Sequence, residues 1–361
     1  MIPLYQPSIT NIEKKYVNDC LDTGWISSKG KYVTKFEDYF SDYTGINHSI
    51  AVSNGTVALH LALLAINVGP NDEVIVPAFT YIASVNCIKY VGATPVFASS
   101  RSSDFQVDIS SIQGLIGKKT KAIILPHLYG HICEIESIVE LCRQHKILII
   151  EDCAEALGST YKSTHCGNFG DIATFSFFGN KTISTGEGGM VCTNNKLYAD
   201  RVRHLKSQAV SSTKEYWHDE VGFNYRMTNI CAAIGLAQLE RVESIISRKK
   251  DIANKFISEI SHESVRILES HSDCKSSFWL VTIVLPCNGL RDSLRNVLYE
   301  NGVETRPTFP LANTMPMYSD CITDSNLNSL PSETGMNIPS FPDLTHENLN
   351  KIIRVINEFA G

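Results

Sequence analysis

The sequence lacks the long hydrophobic run that a membrane-spanning helix requires. No apolar stretch approaches the roughly 20 residues needed to cross a bilayer. The first residues have neither the basic start nor the apolar centre of a secretory signal, so we expect no export signal. The net charge of −6 gives no basic surface of the kind that attracts nucleic acids or anionic membranes. These absences favour a cytoplasmic protein with no nucleic-acid or membrane partner.

Cysteine is present, but its spacing carries no signal. The 11 cysteines form no CxxC pair and no Cys/His spacing typical of zinc ligands. Several lie in apolar helical or strand-like contexts, for example Cys87, Cys142, Cys192 and Cys231. We therefore expect reduced, buried cysteines in a reducing compartment and no metal site.

Short apolar runs alternate regularly with helical patterns from residue 50 onward. Strands are predicted at 50–52, 73–76, 94–97, 122–125 and 147–150, and helices at 56–67, 80–91, 109–117 and 134–145. This alternation predicts βαβ units around a largely parallel sheet. The 361 residues suffice for two domains. We predict a large domain at 1–245 and a smaller α+β domain at 246–361.

Further elements follow from local signals. A capping box at Thr10 and Glu13 predicts a helix to about Leu21. The other predicted helices are 227–262, 291–300 and 345–359, and the other predicted strands are 175–178, 190–193 and 278–285.

The most informative segment, 175–189, places one lysine between a strand-like aromatic run and a glycine-rich turn. Upstream, a buried apolar strand ends at Asp152. Lys181 and Asp152 together suit pyridoxal phosphate (PLP), since a lysine forms a Schiff base with its aldehyde and an aspartate pairs with its ring nitrogen. Alone, the lysine could be a solvated loop residue and the aspartate a helix cap.

A phosphate site is also indicated. Gly55 and Thr56 open an apolar helical run, and the start of a helix offers free backbone N–H groups to an anion. Ser176 precedes the lysine by five residues, so a strand there could direct its hydroxyl at the same phosphate. The glycines at 186–189 allow backbone to pass close to a bulky group.

These motifs resemble the DegT/DnrJ/EryC1/StrS family of sugar-nucleotide aminotransferases, from Pro7 to near the C-terminus. The densest blocks are 53–56, 76–84, 127–130, 151–155, 175–189, 217–219 and 224–229. Within the family, the lysine block and residues 217–240 are most similar to the members that form GDP-perosamine.

The resemblance implies a homodimeric PLP enzyme of fold type I, with a mostly parallel mixed sheet in the large domain and active sites at the subunit interface. Lys181 would hold the cofactor and then act as general base and acid. Tyr81 would stack on the ring, and Glu155 would lie near its 3′-oxygen. The implied cofactor-binding set is Gly55, Thr56, Tyr81, Asp152, Glu155, Ser176, Lys181 and Asn224, the last from the neighbouring subunit.

The substrate side is less defined. The candidate substrate residues are Trp217, His218, Arg306, Phe309 and Asn313. Tyr81, Trp217 and Trp279 could instead be core aromatics, His127 a buried, satisfied histidine, and Arg306 a surface arginine. Relatives place a histidine where this chain has Asn313 and an aromatic residue where it has Pro310. Because this segment should border the substrate, the departure leaves the choice of sugar nucleotide open.

The implied reaction converts a nucleotide-linked 4-keto-6-deoxyhexose to its 4-amino sugar, with L-glutamate as amino donor. The leading substrate is GDP-4-keto-6-deoxy-D-mannose, giving GDP-perosamine for a surface polysaccharide such as O-antigen. The alternative is dTDP-4-keto-6-deoxy-D-glucose, giving dTDP-viosamine. Related sugar dehydratases carry histidine in place of the lysine, and Lys181 argues against them. A regulatory protein that keeps the fold without the chemistry is the non-catalytic alternative.

Overall fold

A computed structural model describes residues 1–360. The helices are α1 (Asn11–Thr23), α2 (Lys31–Thr44), α3 (Gly55–Ala65), α4 (Ala83–Tyr90), α5 (Ile109–Leu115), α6 (Ile135–His145), α7 (Lys196–Leu205), α8 (Asn229–Leu239), α9 (Val242–Glu259), α10 (Asn288–Glu300), α11 (Leu330–Thr334) and α12 (His346–Asn357). The strands are β1 (His48–Val52), β2 (Glu73–Pro77), β3 (Thr94–Ala98), β4 (Thr120–Pro126), β5 (Leu148–Asp152), β6 (Thr160–Tyr161), β7 (Thr164–His165), β8 (Ile172–Ser176), β9 (Gly189–Thr193), β10 (Arg266–Ile267), β11 (Cys274–Lys275), β12 (Val281–Val284), β13 (Arg306–Pro307) and β14 (Gly335–Ile338).

The central sheet has seven strands in the order β1-β9-β8-β5-β4-β2-β3. Its strands run parallel to one another except β9, which is antiparallel to both neighbours. The prediction of a mostly parallel sheet is therefore confirmed. The five strands predicted before residue 151 are also confirmed, each to within two residues at either end.

Side chains cover the central sheet on both faces. In β4, Ile123 and Leu125 pack into one buried cluster with α2 and α8, whereas Ile124 packs into the opposite cluster with α3 and α4. Strands buried on both faces read as continuous apolar runs rather than as alternating patterns. This is why short runs such as 147–150 identified the sheet.

A second sheet of four antiparallel strands, in the order β10-β12-β14-β13, lies in the C-terminal part of the chain. Helix α9 joins the two parts: Ile245 and Ile246 pack with the large sheet, and Ile252 and Phe256 pack with the small one. We keep the division at 245/246 as a proposal, since it falls inside this one helix.

Several predicted boundaries are wrong. The strand before the lysine ends at Ser176; Phe177 still donates its N–H to the carbonyl of Gly188 at 2.8 Å, but Phe178 forms only an isolated bridge with Gly186. The strand predicted at 278–285 pairs only over Val281–Val284, since Phe278 has a left-handed φ of 49° that a strand cannot hold.

Helical predictions needed correction as well. The helix predicted at 227–262 is two helices, α8 and α9, separated at Glu240 and Arg241. Helices α2 and α7 were not predicted. Helix α2 buries Tyr32, Phe36 and Phe40 at every fourth position, but aromatic residues have only moderate helix propensity. The capping box of α1 is confirmed by reciprocal bonds between Thr10 and Glu13.

No helix within residues 1–360 is both long and apolar enough to cross a membrane.

Candidate active site

A cavity of about 620 Å³ opens at the carboxyl ends of the parallel strands. Ligands of open α/β sheets bind at this edge, and the volume is typical of a small-molecule site. Nine of the predicted site residues line the cavity: Gly55, Thr56, Tyr81, Asp152, Glu155, Ser176, Lys181, Arg306 and Phe309. The fold thus brings together residues that lie more than 250 positions apart in the sequence.

The start of α3 forms one end of the cavity. Asn54 caps this helix through its Oδ1, which accepts the N–H of Val57 at 3.0 Å. The N–H groups of Gly55 and Thr56 precede the first intrahelical bond and are therefore available to an anion. A Cβ added at Gly55 would lie 2.8 Å from the Cβ of Ser176, so only glycine lets the helix start approach this serine.

Asp152 ends β5 deep in the cavity and is only 7% exposed. Its Oδ2 accepts the Oγ–H of Ser84 at 2.6 Å, and its Oδ1 accepts the N–H of Ala154 at 3.1 Å. These two bonds fix the carboxylate plane. A buried, oriented carboxylate is suited to pair with a protonated ring nitrogen.

Lys181 lies in the loop between β8 and β9 with its side chain 12% exposed. Its Nζ is 3.5 Å from Oε1 of Glu155 and 4.1 Å from the centre of the Trp279 ring. Burial raises the pKa of Glu155 to about 7, although the nearby Lys181 opposes the shift. The site therefore places the Lys181 amine beside a buried carboxyl group whose pKa is raised toward neutrality.

His127 and Glu151 form a fully buried pair beneath the site, with Nε2···Oε2 at 3.1 Å. Burial raises the pKa of Glu151, but His127 and backbone N–H groups of the 167–170 turn lower it overall. Cys153 lies close enough for the three side chains to offer ligand atoms within 4.8 Å of one another. Sequence spacing gave no hint of this grouping. The Glu151 carboxylate accepts hydrogen bonds from His127 and from backbone N–H groups of the 167–170 turn. These bonds hold the turn against the end of β5, next to Asp152.

The cavity mouth is more open than its floor. Tyr81 is 54% exposed, and its ring centre lies 5.7 Å from that of Phe309. The side chain of Arg306 is 65% exposed and lies 3.4 Å from Glu304. These side chains have room to adjust to a ligand.

Four predicted residues lie outside the cavity of a single chain. Asn224 is exposed, and its Oδ1 accepts a bond from Arg226 at 3.1 Å. Trp217 is half exposed, and a ring nitrogen of His218 bonds the carbonyl of Gln208 at 2.7 Å.

Asn313 lies in a short 3₁₀ turn at Ala312–Thr314. Its Oδ1 is buried, with no hydrogen-bond partner within residues 1–360. The preceding residues bind the large domain, since the N–H of Ala312 donates to the carbonyl of Ala78 at 2.8 Å.

Three residues of the site had no predicted role. Ser84 orients Asp152, and it belongs to the 76–84 block that carries part of the family resemblance. Trp279 was interpreted as a possible core residue, yet it lines the cavity beside Lys181. The hydroxyl of Tyr5, which is 176 positions away in the sequence, donates a hydrogen bond to the carbonyl of Lys181. No local pattern signals such long-range contacts.

The fold and this cavity define a PLP-dependent aminotransferase of fold type I. A model of the DegT/DnrJ/EryC1/StrS aminotransferase family matches residues 7–357, and the chain belongs to that family. Among solved structures, the PLP form of the putative sugar aminotransferase Spr1654 from Streptococcus pneumoniae is 30% identical, with a TM-score of 0.93 over 99% of this chain and 97% of that one.

Curated relatives match over their full length. The GDP-perosamine synthase of Escherichia coli O157:H7 is 52% identical over 99% of this chain and 98% of that protein. The GDP-perosamine synthase of Vibrio cholerae is 46% identical over 99% of both chains. The predicted family, fold type and cofactor are thereby confirmed.

Proposed function

We propose that this enzyme converts GDP-4-keto-6-deoxy-D-mannose to GDP-perosamine, with L-glutamate as the amino donor. The observation that carries the proposal is the 52% identity, over nearly the whole of both chains, to the enzyme of that name from Escherichia coli O157:H7. The residues that line the cavity fit an amino transfer, because a lysine, a buried aspartate and an anion site converge in it.

The cavity fits PLP in three ways. The open start of α3 suits its phosphate, Asp152 suits its ring nitrogen, and Lys181 suits its aldehyde. When bound, PLP supplies an electron-withdrawing ring that stabilises negative charge on the carbon that loses a proton. We propose that Gly55, Thr56 and Ser176 hold the phosphate.

The protein's own contribution is to hold and move a proton. We propose that Lys181 acts as general base and then as general acid in the 1,3-proton shift. Its amine would take the proton from the α-carbon of the amino donor and would return it to the carbon of the cofactor that carried the aldehyde. We propose that Glu155, whose Oε1 is 3.5 Å from the Lys181 Nζ, orients this amine and would lie near the 3′-oxygen of the ring. Tyr81 would cover the face of the ring from the mouth of the cavity.

Asn224 does not line the cavity of its own chain, and its Oδ1 accepts a hydrogen bond from Arg226 instead. We propose a homodimer in which Asn224 completes the phosphate site of the partner. Trp217 and His218 belong to the same exposed stretch, so we propose that they meet the nucleotide sugar there together with Arg306, Phe309 and Asn313.

We further propose that the enzyme works in the cytoplasm and supplies an amino sugar for O-antigen. All 11 cysteines are free, and eight of them are buried, which suits a reducing compartment.

The test offers purified enzyme glutamate with either GDP-4-keto-6-deoxy-D-mannose or dTDP-4-keto-6-deoxy-D-glucose, and compares kcat/KM. We expect a preference for the GDP substrate of at least about 100-fold, since a site built around one hydroxyl rejects an analogue that leaves it unpaired. A preference for the dTDP sugar would make the enzyme a dTDP-viosamine synthase. Turnover of neither, with PLP bound, would overturn the assignment to 4-keto sugars.

A further inference from the structure

Lys181 lies in an irregular loop, although its amine has to meet the same atom in every turnover. A lysine side chain has many rotamers, and a loop adds backbone freedom. Within the loop, one bond restrains the residue: its N–H donates to the carbonyl of Phe178 at 2.9 Å. Other segments of the chain must supply the remaining restraint.

Two distant side chains hold the backbone on either side of this lysine. The indole Nε1–H of Trp279 donates to the carbonyl of Asn180 at 2.6 Å. The hydroxyl of Tyr5 donates to the carbonyl of Lys181 itself. Together they restrain two consecutive peptide groups, and thus the direction in which the lysine side chain leaves the backbone.

Both donors are themselves held in place. Trp279 is 4% exposed and stacks on Tyr129 with ring centres 6.2 Å apart and planes within 4°. Tyr129 stacks in turn on Phe309, at 5.6 Å and 15°. Beside Tyr5, the N–H of Leu4 donates to Glu304 at 3.0 Å. Burial, with the nearby Asp343, raises the pKa of Tyr5 far above neutrality, so its hydroxyl stays a donor.

The face of the Trp279 ring also contacts the amine of Lys181. The Nζ of Lys181 lies 4.1 Å from the ring centre, a distance at which the negative face of an indole attracts an ammonium group. Oε1 of Glu155 lies 3.5 Å from the same Nζ. The free amine is therefore close to both a ring face and a carboxylate.

We propose that Trp279 and Tyr5 are positioning residues for Lys181: their N–H and O–H groups fix the carbonyls of residues 180 and 181, and the Trp279 ring holds the amine whenever it is not bonded to the cofactor. This inference rests on the proposed role of Lys181. Because Trp279 precedes β12 and Tyr5 packs against the core of the small sheet, the two residues also link the lysine to that sheet.

The test separates hydrogen bonding from packing. Trp279→Phe keeps a ring but loses the N–H, Trp279→Leu loses both, and Tyr5→Phe loses only the hydroxyl. The matched controls are Trp25→Phe, at an exposed tryptophan, and Tyr43→Phe, whose hydroxyl bonds Glu243 at 3.0 Å. We expect Trp279→Phe and Tyr5→Phe to lower kcat about tenfold, as the loss of one positioning hydrogen bond does, with KM changed less than about twofold. The controls should stay within about twofold of wild type.

A second readout needs no cofactor and no turnover. In the cofactor-free protein, reductive methylation followed by mass spectrometry reports the reactivity of each lysine. Trp279→Leu should raise the labelling rate of Lys181, relative to the other lysines, by at least about threefold, because the ring no longer covers the amine. Trp279→Phe should raise it less.

Two results would overturn the proposal. One is unchanged Lys181 labelling in Trp279→Leu. The other is wild-type kcat in both Trp279→Phe and Tyr5→Phe at unchanged melting temperature. Borohydride reduction of the wild-type holoenzyme is a separate check: attachment of the cofactor to another lysine would refute the proposed function and not merely the positioning.

Discussion

The two ends of the cavity are built differently. At the cofactor end, Lys181, Asp152 and Glu155 are each buried or nearly so, and each contacts at least one named partner of the same chain. At the mouth, Tyr81 and Arg306 are more than half exposed. The proposed chemistry is thus organised within one chain, whereas the proposed recognition of substrate involves more exposed groups and, in the proposed homodimer, groups from the partner subunit.

This difference leads to distinct expectations for mutations at the two ends. A change at the buried end removes a group that nothing else can replace, so it should reduce the rate of every reaction that the enzyme carries out. A change at the mouth should alter which substrate is preferred and leave the chemistry intact.

The strongest test of the buried end is Lys181→Ala. Because no other amine lines the cavity in residues 1–360, we expect kcat to fall by at least about 10⁴-fold. Steady-state assay, with borohydride mapping of the wild type, measures this. Lys118→Ala, at an exposed lysine, is the control and should be neutral. Substantial residual turnover would exclude Lys181 as the catalytic lysine.

Subunit mixing tests whether the partner subunit completes the phosphate site. If Asn224 completes the partner's site, Lys181→Ala and Asn224→Ala are each inactive alone but complementary in a hybrid dimer. Random exchange gives half hybrids with one intact site each, so activity should recover to about one quarter of wild type. Mixing either variant with itself is the control. Absence of recovery despite exchange, followed by native mass spectrometry, would place Asn224 outside the partner's site.

Asp152→Asn sharpens the comparison within the buried end. A neutral amide keeps the shape but supports a protonated ring nitrogen poorly, so kcat should fall about 10²–10³-fold with unchanged circular dichroism. Ser84→Ala leaves the charge and removes one donor, and should cost about tenfold. If Asp152→Asn retained most of its activity, the carboxylate would serve only to cap the turn at Ala154.

Glu155 predicts a pH-dependent stability. In the folded cofactor-free protein burial raises its pKa to about 7, so between about pH 4.5 and 7 the folded state binds more protons than the unfolded state. Stability from this group is present at low pH and is lost as pH rises through 7. The difference in unfolding free energy between Glu155→Gln and wild type should therefore shift in favour of the variant from pH 5 to pH 8, by roughly 3 kcal/mol at most.

Urea unfolding at the two pH values measures this gain. Glu215→Gln, at an exposed glutamate, is the control, and its unfolding free energy should follow wild type at both pH values. An equal difference between Glu155→Gln and wild type at pH 5 and pH 8 would show that Glu155 stays ionised throughout.

The buried end was also the more predictable from sequence. Asp152 closes an apolar strand, Lys181 precedes a glycine turn, and Gly55 opens a helix, so each carries a local signal. The central sheet was predictable for the same reason, since strands buried on both faces are continuous apolar runs.

What the sequence could not reveal depends on long-range contacts. Tyr5 and Trp279 are far from Lys181 in the sequence and meet it only in the folded chain, and no spacing encodes that. Helix α2 escaped prediction because its signal is an aromatic stripe at every fourth residue rather than a run of strong helix formers. The exposed stretch with Trp217 and Asn224 pairs with residues 207–211 of its own chain and not with the cavity, so no contact within one chain indicates a role in the site.

The smallest expected effect is at the mouth, and it tests whether the departure at Asn313 matters for substrate choice. Its Oδ1 is buried without a partner within residues 1–360, and it follows Phe309, which lines the cavity. An unpaired buried acceptor is costly, so we expect a substrate or partner group to satisfy it. Asn313→His should then change the ratio of kcat/KM between the GDP and dTDP substrates by at least about tenfold, or roughly 1.4 kcal/mol. The rate of the glutamate half-reaction should stay within about twofold of wild type, since that step needs no sugar nucleotide.

Asn18→His, at an exposed position of α1, is the control. An unchanged ratio would move the determinant to Trp217 and His218, whereas an equal loss in both half-reactions would mean that Asn313 supports the fold of the loop and not the choice of sugar.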